Sequence, residues 1–210
     1  MRALLAALCA VLMLSACDRG DAQERLSGTL RVPVRVLGPD GIELPREAAN
    51  ELRYALALVP AALFGMADRA TLKQLTAVQT AIELDSAQLS KWAEAGAKPW
   101  LAGEGAELRI APAGVRVARV MTAAFSPAGE SRLGVGFHDL MADTNLVLVY
   151  VDRACTVAGG LGEAAGGATG EAVDLDLRFP AAGLYWLRTV PGLPITVVAP
   201  ASPTLEVRTR

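Results

Sequence analysis

Short runs that alternate apolar and polar residues, separated by Gly and Pro turns, predict a mainly β protein with a helical insertion. The C-terminal half reads as an antiparallel β-sandwich, and an α+β segment precedes it. Three observations carry this. From Glu107 onward the apolar period is two, most cleanly where Val173, Leu175, Leu177 and Phe179 alternate with Asp174, Asp176 and Arg178. Between Asp68 and Gly96 apolar residues recur instead at three- and four-residue intervals. The chain is 52% hydrophobic and only 5% aromatic, the composition of a core built from Ala, Val and Leu.

The first element is a strand over Thr29–Leu37, in which Leu30, Val32, Val34 and Val36 form the apolar face. Pro33 cannot donate a ladder hydrogen bond, so the strand is expected at an edge or with an irregular start. Gly38-Pro39-Asp40-Gly41 is a turn. Over Glu51–Val59 the alternation of Leu52, Tyr54, Leu56 and Leu58 favours a strand ended by Pro60, although Pro45 followed by Arg46-Glu47-Ala48-Ala49 would also start a helix. Leu72, Leu75, Val78 and Ile82 have helical spacing. A second helix starts at Asp85-Ser86-Ala87-Gln88, which has the form of a capping box, carries Leu89 and Trp92 on one face and stops near Gly96. Together they predict a helical hairpin or bent helix pair.

The later strands are Leu108–Ile110, then Val115–Val120 with a bulge near Ala118-Arg119 where the alternation slips, then Leu133–Phe137. A long apolar strand over Leu146–Val157 follows, then Val173–Phe179, Leu184–Val190, Ile195–Val198 and Leu205–Val207. Gly159–Gly170 reads as a flexible loop, since it leads into a strand and lacks the helix start that a phosphate loop requires. The stretch Pro180-Ala181-Ala182-Gly183-Leu184-Tyr185 resembles the entry to a late strand of immunoglobulin-like sandwiches. There a tyrosine hydroxyl bonds back to the corner that precedes it. The resemblance covers about ten residues and implies architecture alone, because the paired cysteines of true immunoglobulin domains are absent.

At the N-terminus Met1-Arg2 precedes an apolar run, Ala3–Met13, and then Leu14-Ser15-Ala16-Cys17 and the polar Asp18-Arg19-Gly20-Asp21. A basic start, a short apolar core and small residues at the end describe a secretory signal peptide. Leu14–Cys17 closely resembles the lipobox of bacterial lipoproteins. The resemblance implies cleavage before Cys17, lipidation of Cys17 with several acyl chains, and a lasting membrane anchor. Asp18 resembles the signal that retains enterobacterial lipoproteins in the inner membrane. The expected organisation is a signal peptide over 1–16, a lipidated N-terminus and tether over 17–28, strands with the helical hairpin over 29–104 and the sandwich over 105–210. Residues 29–210 as one domain is the alternative. The expected location is the periplasmic face of the bacterial cell envelope, at the inner membrane on the Asp18 signal, with the outer membrane as the alternative.

Composition excludes several functions. The net charge is −2 and no Lys/Arg cluster exists to neutralise phosphates, so no nucleic-acid partner is expected. Of three cysteines, Cys9 lies in the signal core and Cys17 is the lipid site, which leaves Cys155 without a disulfide partner. In its apolar row Cys155 reads as a small buried hydrophobe rather than a nucleophile. His138 is the single histidine, with Asp139, Met141 and Asp143 following it. By alternation it shares an open face with Gly134 and Gly136, where it is a candidate ligand-binding residue. One histidine with scattered carboxylates is a poor set for a transition metal, so no metal and no cofactor are expected. Trp92 and Trp186 suit the core. Trp100, between Pro99 and Leu101, is the second candidate for ligand binding. Without a catalytic constellation, the chain reads as a lipid-anchored protein with a structural or protein-interaction role and not as an enzyme. A module that binds a small ligand, carbohydrate or peptidoglycan fragment is the alternative, and an enzyme of unknown class the third reading.

Overall fold

The computed structural model describes residues 25–51, 55–61, 73–75, 81–100, 107–125, 134–161 and 173–209. The signal peptide, Cys17 and Asp18 lie outside them, as do Leu52, Tyr54 and residues 162–172.

In chain order the strands are β1 (Thr29–Leu37), β2 (Ala55–Ala61), β3 (Lys73–Leu75), β4 (Ala81–Asp85), β5 (Lys98–Pro99), β6 (Glu107–Ala111) and β7 (Arg116–Phe125). They continue with β8 (Gly134–Asp139), β9 (Thr144–Val151), β10 (Cys155–Leu161), β11 (Val173–Phe179), β12 (Gly183–Thr189), β13 (Thr196–Val198) and β14 (Pro203–Arg208). The helices are α1 (Arg46–Glu51) and α2 (Ser86–Gly96). The larger sheet runs β3-β2-β7-β9-β8-β14-β1-β4, with β12 on the other side of β9, and a smaller sheet has the order β11-β10-β6. The sheets are open, as a sandwich requires and a closed barrel does not.

β9 and β12 are the middle layer, apolar on both faces. Leu146, Leu148, Tyr150, Leu184 and Trp186 belong to one core, which β1, β4, β14 and α2 close with Val32, Ile82, Leu89 and Leu205. Val149, Val151, Tyr185 and Leu187 belong to a second core, covered by Val157, Leu175, Leu177 and Phe179 of the small sheet. A strand buried on both sides reads as a continuous apolar run rather than an alternation, which is why Leu146–Val151 looks uniformly apolar. The expected single strand Leu146–Val157 is in fact two. The chain breaks at Asp152-Arg153-Ala154, where Asp152 accepts from the Arg116 backbone N–H at 3.0 Å and from the Arg153 guanidinium at 2.9 Å, and β10 leaves for the small sheet.

The same two-faced burial removes the expected bulge in β7. Its pairing with β9 is unbroken from Val117↔Val151 to Val120↔Leu148. The alternation slips because Val117 faces the second core while Ala118 and Val120 face the first.

Pro33 marks a change of partner in β1. Thr29–Pro33 pair antiparallel with β4, and Val34–Leu37 pair parallel with β14. A residue without an N–H suits the point at which one ladder ends and another begins. The expected turn follows, with Gly38 N bonded to Ile42 O at 2.8 Å and Gly41 at φ 78°.

The helical hairpin is corrected. Lys73–Leu75 and Ala81–Asp85 are strands, so Leu75 and Ile82 lie in sheets. Ile82 and Leu84 alternate with Glu83 as well as they fit a helical period, and pairing with β1 decides between them. The second helix is present. The Asp85 side chain accepts from Gln88 N at 2.9 Å, an N-cap, and Leu89 and Ala93 are buried. Both readings of the preceding stretch hold in part, since α1 follows Pro45 and β2 follows α1, but β2 runs through Pro60, which pairs with Val120, instead of ending there.

The corner before β12 has the expected geometry. Tyr185 is fully buried, its hydroxyl donates to Ala181 O at 2.9 Å, and Ala181 N donates back to that hydroxyl at 3.3 Å. Its ring meets Phe179 edge-on at 5.1 Å.

Candidate functional site

The chain enters the fold beside this corner. Arg25 bridges to Tyr185, and Leu26 N donates to Leu184 O at 2.8 Å. Arg25 and Leu26, within the 17–28 stretch read as a tether, thus contact β12. β12 runs away from this end and β9 runs toward it, since Gly183 pairs with Val151 and Thr189 with Asn145. At ~3.3 Å per residue, the start of β9 lies about 23 Å from the entry end. That distal end carries the β8–β9 turn, the β12–β13 turn and the segment leading into β14.

One side chain locks it. Asp139, 2% exposed, accepts from Met141 N at 3.1 Å and Ser202 N at 3.3 Å through Oδ1, and from Ala201 N at 3.3 Å through Oδ2. Leu140 N donates to Ser202 O at 3.2 Å. A buried carboxylate thus fastens two loops that are far apart in sequence. At the tip Leu140 and Met141 are exposed, Met141 at 78%, and Leu193 is exposed in the β12–β13 turn. Exposed large apolar side chains on a loop held by a buried carboxylate are an arrangement suited to contact with another molecule.

His138 precedes Asp139 on the opposite face of β8. Its Nε2 lies 3.1 Å from Asp143 Oδ1, with His138 13% and Asp143 98% exposed. Asp143 holds a left-handed φ of 50°, a conformation that short Asp side chains tolerate. Nδ1 is buried without a partner. An Nε2–H that donates to Asp143 leaves Nδ1 as a bare lone pair. Nδ1 is thus enclosed without a partner, and Nε2 is engaged by a carboxylate. Cys155 lies on β10, which begins after the opposite end of β9, in the second core, and burial pushes its thiol up to about 11. The histidine and the cysteine are therefore not brought together.

The face expected to be open around His138 is exposed at Gly136 but closed beside it, where Thr204 and Glu206 are buried. The register sets Thr204 beside His138, Glu206 beside Gly136, Arg208 beside Gly134, and Arg35 beside Glu206. A Cβ at Gly136 would meet nothing within 4 Å. Glu206 is buried between two guanidiniums, Arg208 at 2.9 Å and Arg35 at 3.4 Å, and Arg35 also reaches Glu43 at 2.9 Å. Both carboxylate oxygens of Glu206 are occupied, so it is an ion-paired strut rather than a base.

Trp100 is not on a surface. It is buried in the second core, with its ring 6.3 Å from that of Phe179 and its backbone N bonded to Val115 O at 2.8 Å. It has no face free to stack on a sugar, which removes it as a ligand-binding residue. A recess of about 390 Å³ lies on the small sheet, lined by Glu107, Leu108, Arg109, Ala158, Gly159 and Gly160. Gly159, at φ 122°, is required there because a Cβ would collide with Glu107 O. Among the described residues no three His, Cys, Asp or Glu side chains are grouped to hold a metal, and no helix is long and apolar enough to cross a membrane.

Comparison with protein-family models, with curated proteins and with solved structures finds no match to this chain.

Sequence reasoning singled out His138 and passed over Asp139, its neighbour. The available signal was an Asp ending an alternating strand directly before a turn, where a carboxylate accepts backbone N–H groups two residues on.

Proposed function

We propose that the chain is a lipid-anchored protein of the bacterial cell envelope that presents the distal end of its sandwich to a protein partner. Leu14-Ser15-Ala16-Cys17 supplies the anchor, and from Cys17 to Arg25 an extended chain reaches at most ~29 Å. The observation that carries the reading is the polarity of the fold. The chain enters at the Tyr185 end, and the exposed Leu140, Met141 and Leu193 lie at the other. An anchor at one end leaves the other free for contact.

A photo-cross-linking residue in place of Met141 tests this in cells. The expected result is one discrete adduct, absent when the same residue replaces the exposed Thr156 of the small sheet. Adducts of equal yield at both positions would remove the distal end as the interface. Fractionation tests the anchor separately: Cys17→Ala is expected to leave the membrane fraction, and full retention there contradicts lipidation.

A second reading, a module for a small ligand or a carbohydrate or peptidoglycan fragment, rests on the unpartnered Nδ1 of His138 and the space above Gly136. Thermal-shift screening with envelope sugars separates the two, since a ligand bound only by the folded state raises its stability.

A further inference from the structure

Besides His138 Nδ1, two enclosed polar atoms near the distal end have no hydrogen-bond partner: Arg188 Nε and Thr144 Oγ1. The register places them on one face. Arg188 stands opposite Leu146 on β9, and Thr144 is two residues before Leu146 on that strand. Directly opposed residues share a face, as do residues two apart. Diagonal neighbours lie ~7–8 Å apart, a span that a side chain as long as arginine covers. Thr196 stands opposite Arg188 on its other side, and Asp139 opposite Thr144.

Arg188 is the one arginine among the described residues with an enclosed nitrogen that lacks a partner. Arg35, Arg153 and Arg208 each meet a carboxylate, and Arg25 and Arg116 each donate to backbone carbonyls. No hydrogen bond or ion pair of the Arg188 side chain occurs among the described residues, and its Nε is sealed from water. A buried donor without an acceptor costs free energy, the more so on a charged group. A guanidinium only donates, and a threonine hydroxyl turns to donate. What both atoms lack is an acceptor, and the charge of Arg188 calls for an anionic one.

We propose that Arg188 and Thr144 form a binding site for a carboxylate carried on an apolar group. The guanidinium fork matches a carboxylate in two parallel hydrogen bonds, and the Thr144 hydroxyl supplies a third. Asp139, beside Thr144 and itself a carboxylate, disfavours a doubly charged phosphate in the same place. Leu140, Met141 and Leu193, exposed on the loops of this end, provide the apolar surface for the rest of the ligand. A free small carboxylate and the C-terminal residue of a protein segment share this chemistry. Only the second source rests on the docking role proposed above.

Titration of the purified full-length chain, followed by amide chemical shifts, tests the site. The probes are acetate, N-acetylleucine, N-acetylleucinamide, inorganic phosphate and a longer peptide ending in leucine. N-acetylleucine is expected to saturate shifts at Thr144, Arg188 and Thr196 with a roughly millimolar Kd, about tenfold tighter than its amide. Arg188→Met is expected to abolish this binding and Thr144→Val to weaken it several-fold, while both leave the Tm of the free protein unchanged or raised because an orphaned polar atom is gone. Should Arg188→Met fail to fold, Thr144→Val carries the test alone. Equal affinity for acid and amide, preference for phosphate, unaltered binding by the foldable variants, or no saturable binding by the wild type would each overturn the site. Acetate as tight as N-acetylleucine assigns it to free small carboxylates, and a tighter longer peptide assigns it to a protein C-terminus. Because the titration uses the isolated chain, it fails or succeeds independently of the cross-linking at Met141.

Discussion

Asp139 decides whether the distal loops are held or loose, and its removal has a calculable consequence. The carboxylate accepts three backbone N–H groups at 3.1–3.3 Å. Hydrogen bonds to charged groups contribute ~1.5–3 kcal/mol each when short and dry. These are long, and Met141 and Ala201 are exposed, so their N–H groups regain water when the acceptor is lost. About 1 kcal/mol each is the better figure, which puts Asp139→Ala near 3 kcal/mol of destabilisation. For a chain of this size that lowers the Tm by roughly 6–12 °C.

Asp139→Asn separates the contacts. Its amide oxygen can still accept from Met141 and Ser202, but the amide nitrogen then faces the Ala201 N–H, donor against donor. The expected loss is about 1–1.5 kcal/mol, from one bond and one orphaned donor. Asp143→Asn is the control, expected within ~0.5 kcal/mol of wild type because Asp143 is exposed and Asn tolerates its left-handed φ as Asp does. Urea unfolding followed by tryptophan fluorescence measures all three, and hydrogen exchange at Met141, Ala201 and Ser202 locates the change. An Asp139→Ala variant within 0.5 kcal/mol of wild type, or with exchange at those amides unaltered, refutes the clamp. So does a loss in Asp139→Asn as large as in Asp139→Ala.

Tyr185→Phe removes a hydroxyl that both donates to and accepts from Ala181, and is expected to cost ~1–2 kcal/mol in the same unfolding experiment. The Cys155 thiol, pushed up to about 11 by burial, is expected to resist thiol reagents at neutral pH until the protein unfolds. The folded state holds that proton more tightly than the unfolded chain, whose thiol titrates near its ordinary value. Stability from this group is therefore complete below that value and falls as pH rises toward 11, a loss that Cys155→Ala, compared across the same pH range, is expected to lack. Trp100→Ala is expected to destabilise by ~3–5 kcal/mol, as a large buried side chain does, with no selective loss of ligand binding in the foldable Trp100→Phe variant.

Much of the sandwich was legible because its rules are local. Where one face is buried and the other wet, alternation reports the strand, as in β11, whose Leu175, Leu177 and Phe179 are buried between exposed Asp174, Asp176 and Arg178. The tyrosine corner and the α2 cap were legible for the same reason, since each is made by residues three or four apart. What failed is what depends on distant partners. Ile82 follows a helical period and a strand period equally well, and pairing with Val32 of β1 settles it. The apparent bulge in β7 and the apparent length of the Leu146–Val157 strand share one cause. A strand that serves two cores loses its period, and no short window of sequence reveals that a second layer covers it.

The candidate site was less legible, for a related reason. His138 was conspicuous by rarity, yet its Nδ1 is enclosed and its Nε2 is engaged by Asp143. Rarity in composition says nothing about access. Trp100 was conspicuous by its neighbours Pro99 and Leu101, which resemble an exposed link, whereas its own ring fills the space against Phe179. The residues that organise the distal end are common types: an Asp after a strand, an Arg and a Thr within strands. They gain meaning from the register, which sets Arg188 diagonal to Thr144 and Thr144 opposite Asp139, with residues 139, 144 and 188 drawn from three separate strands. Register is a property of paired strands rather than of any one of them. A site written across β8, β9 and β12 becomes visible only when all three are aligned, and its test is accordingly a paired one: Thr144→Val and Arg188→Met act on one binding event although their positions lie far apart in the chain.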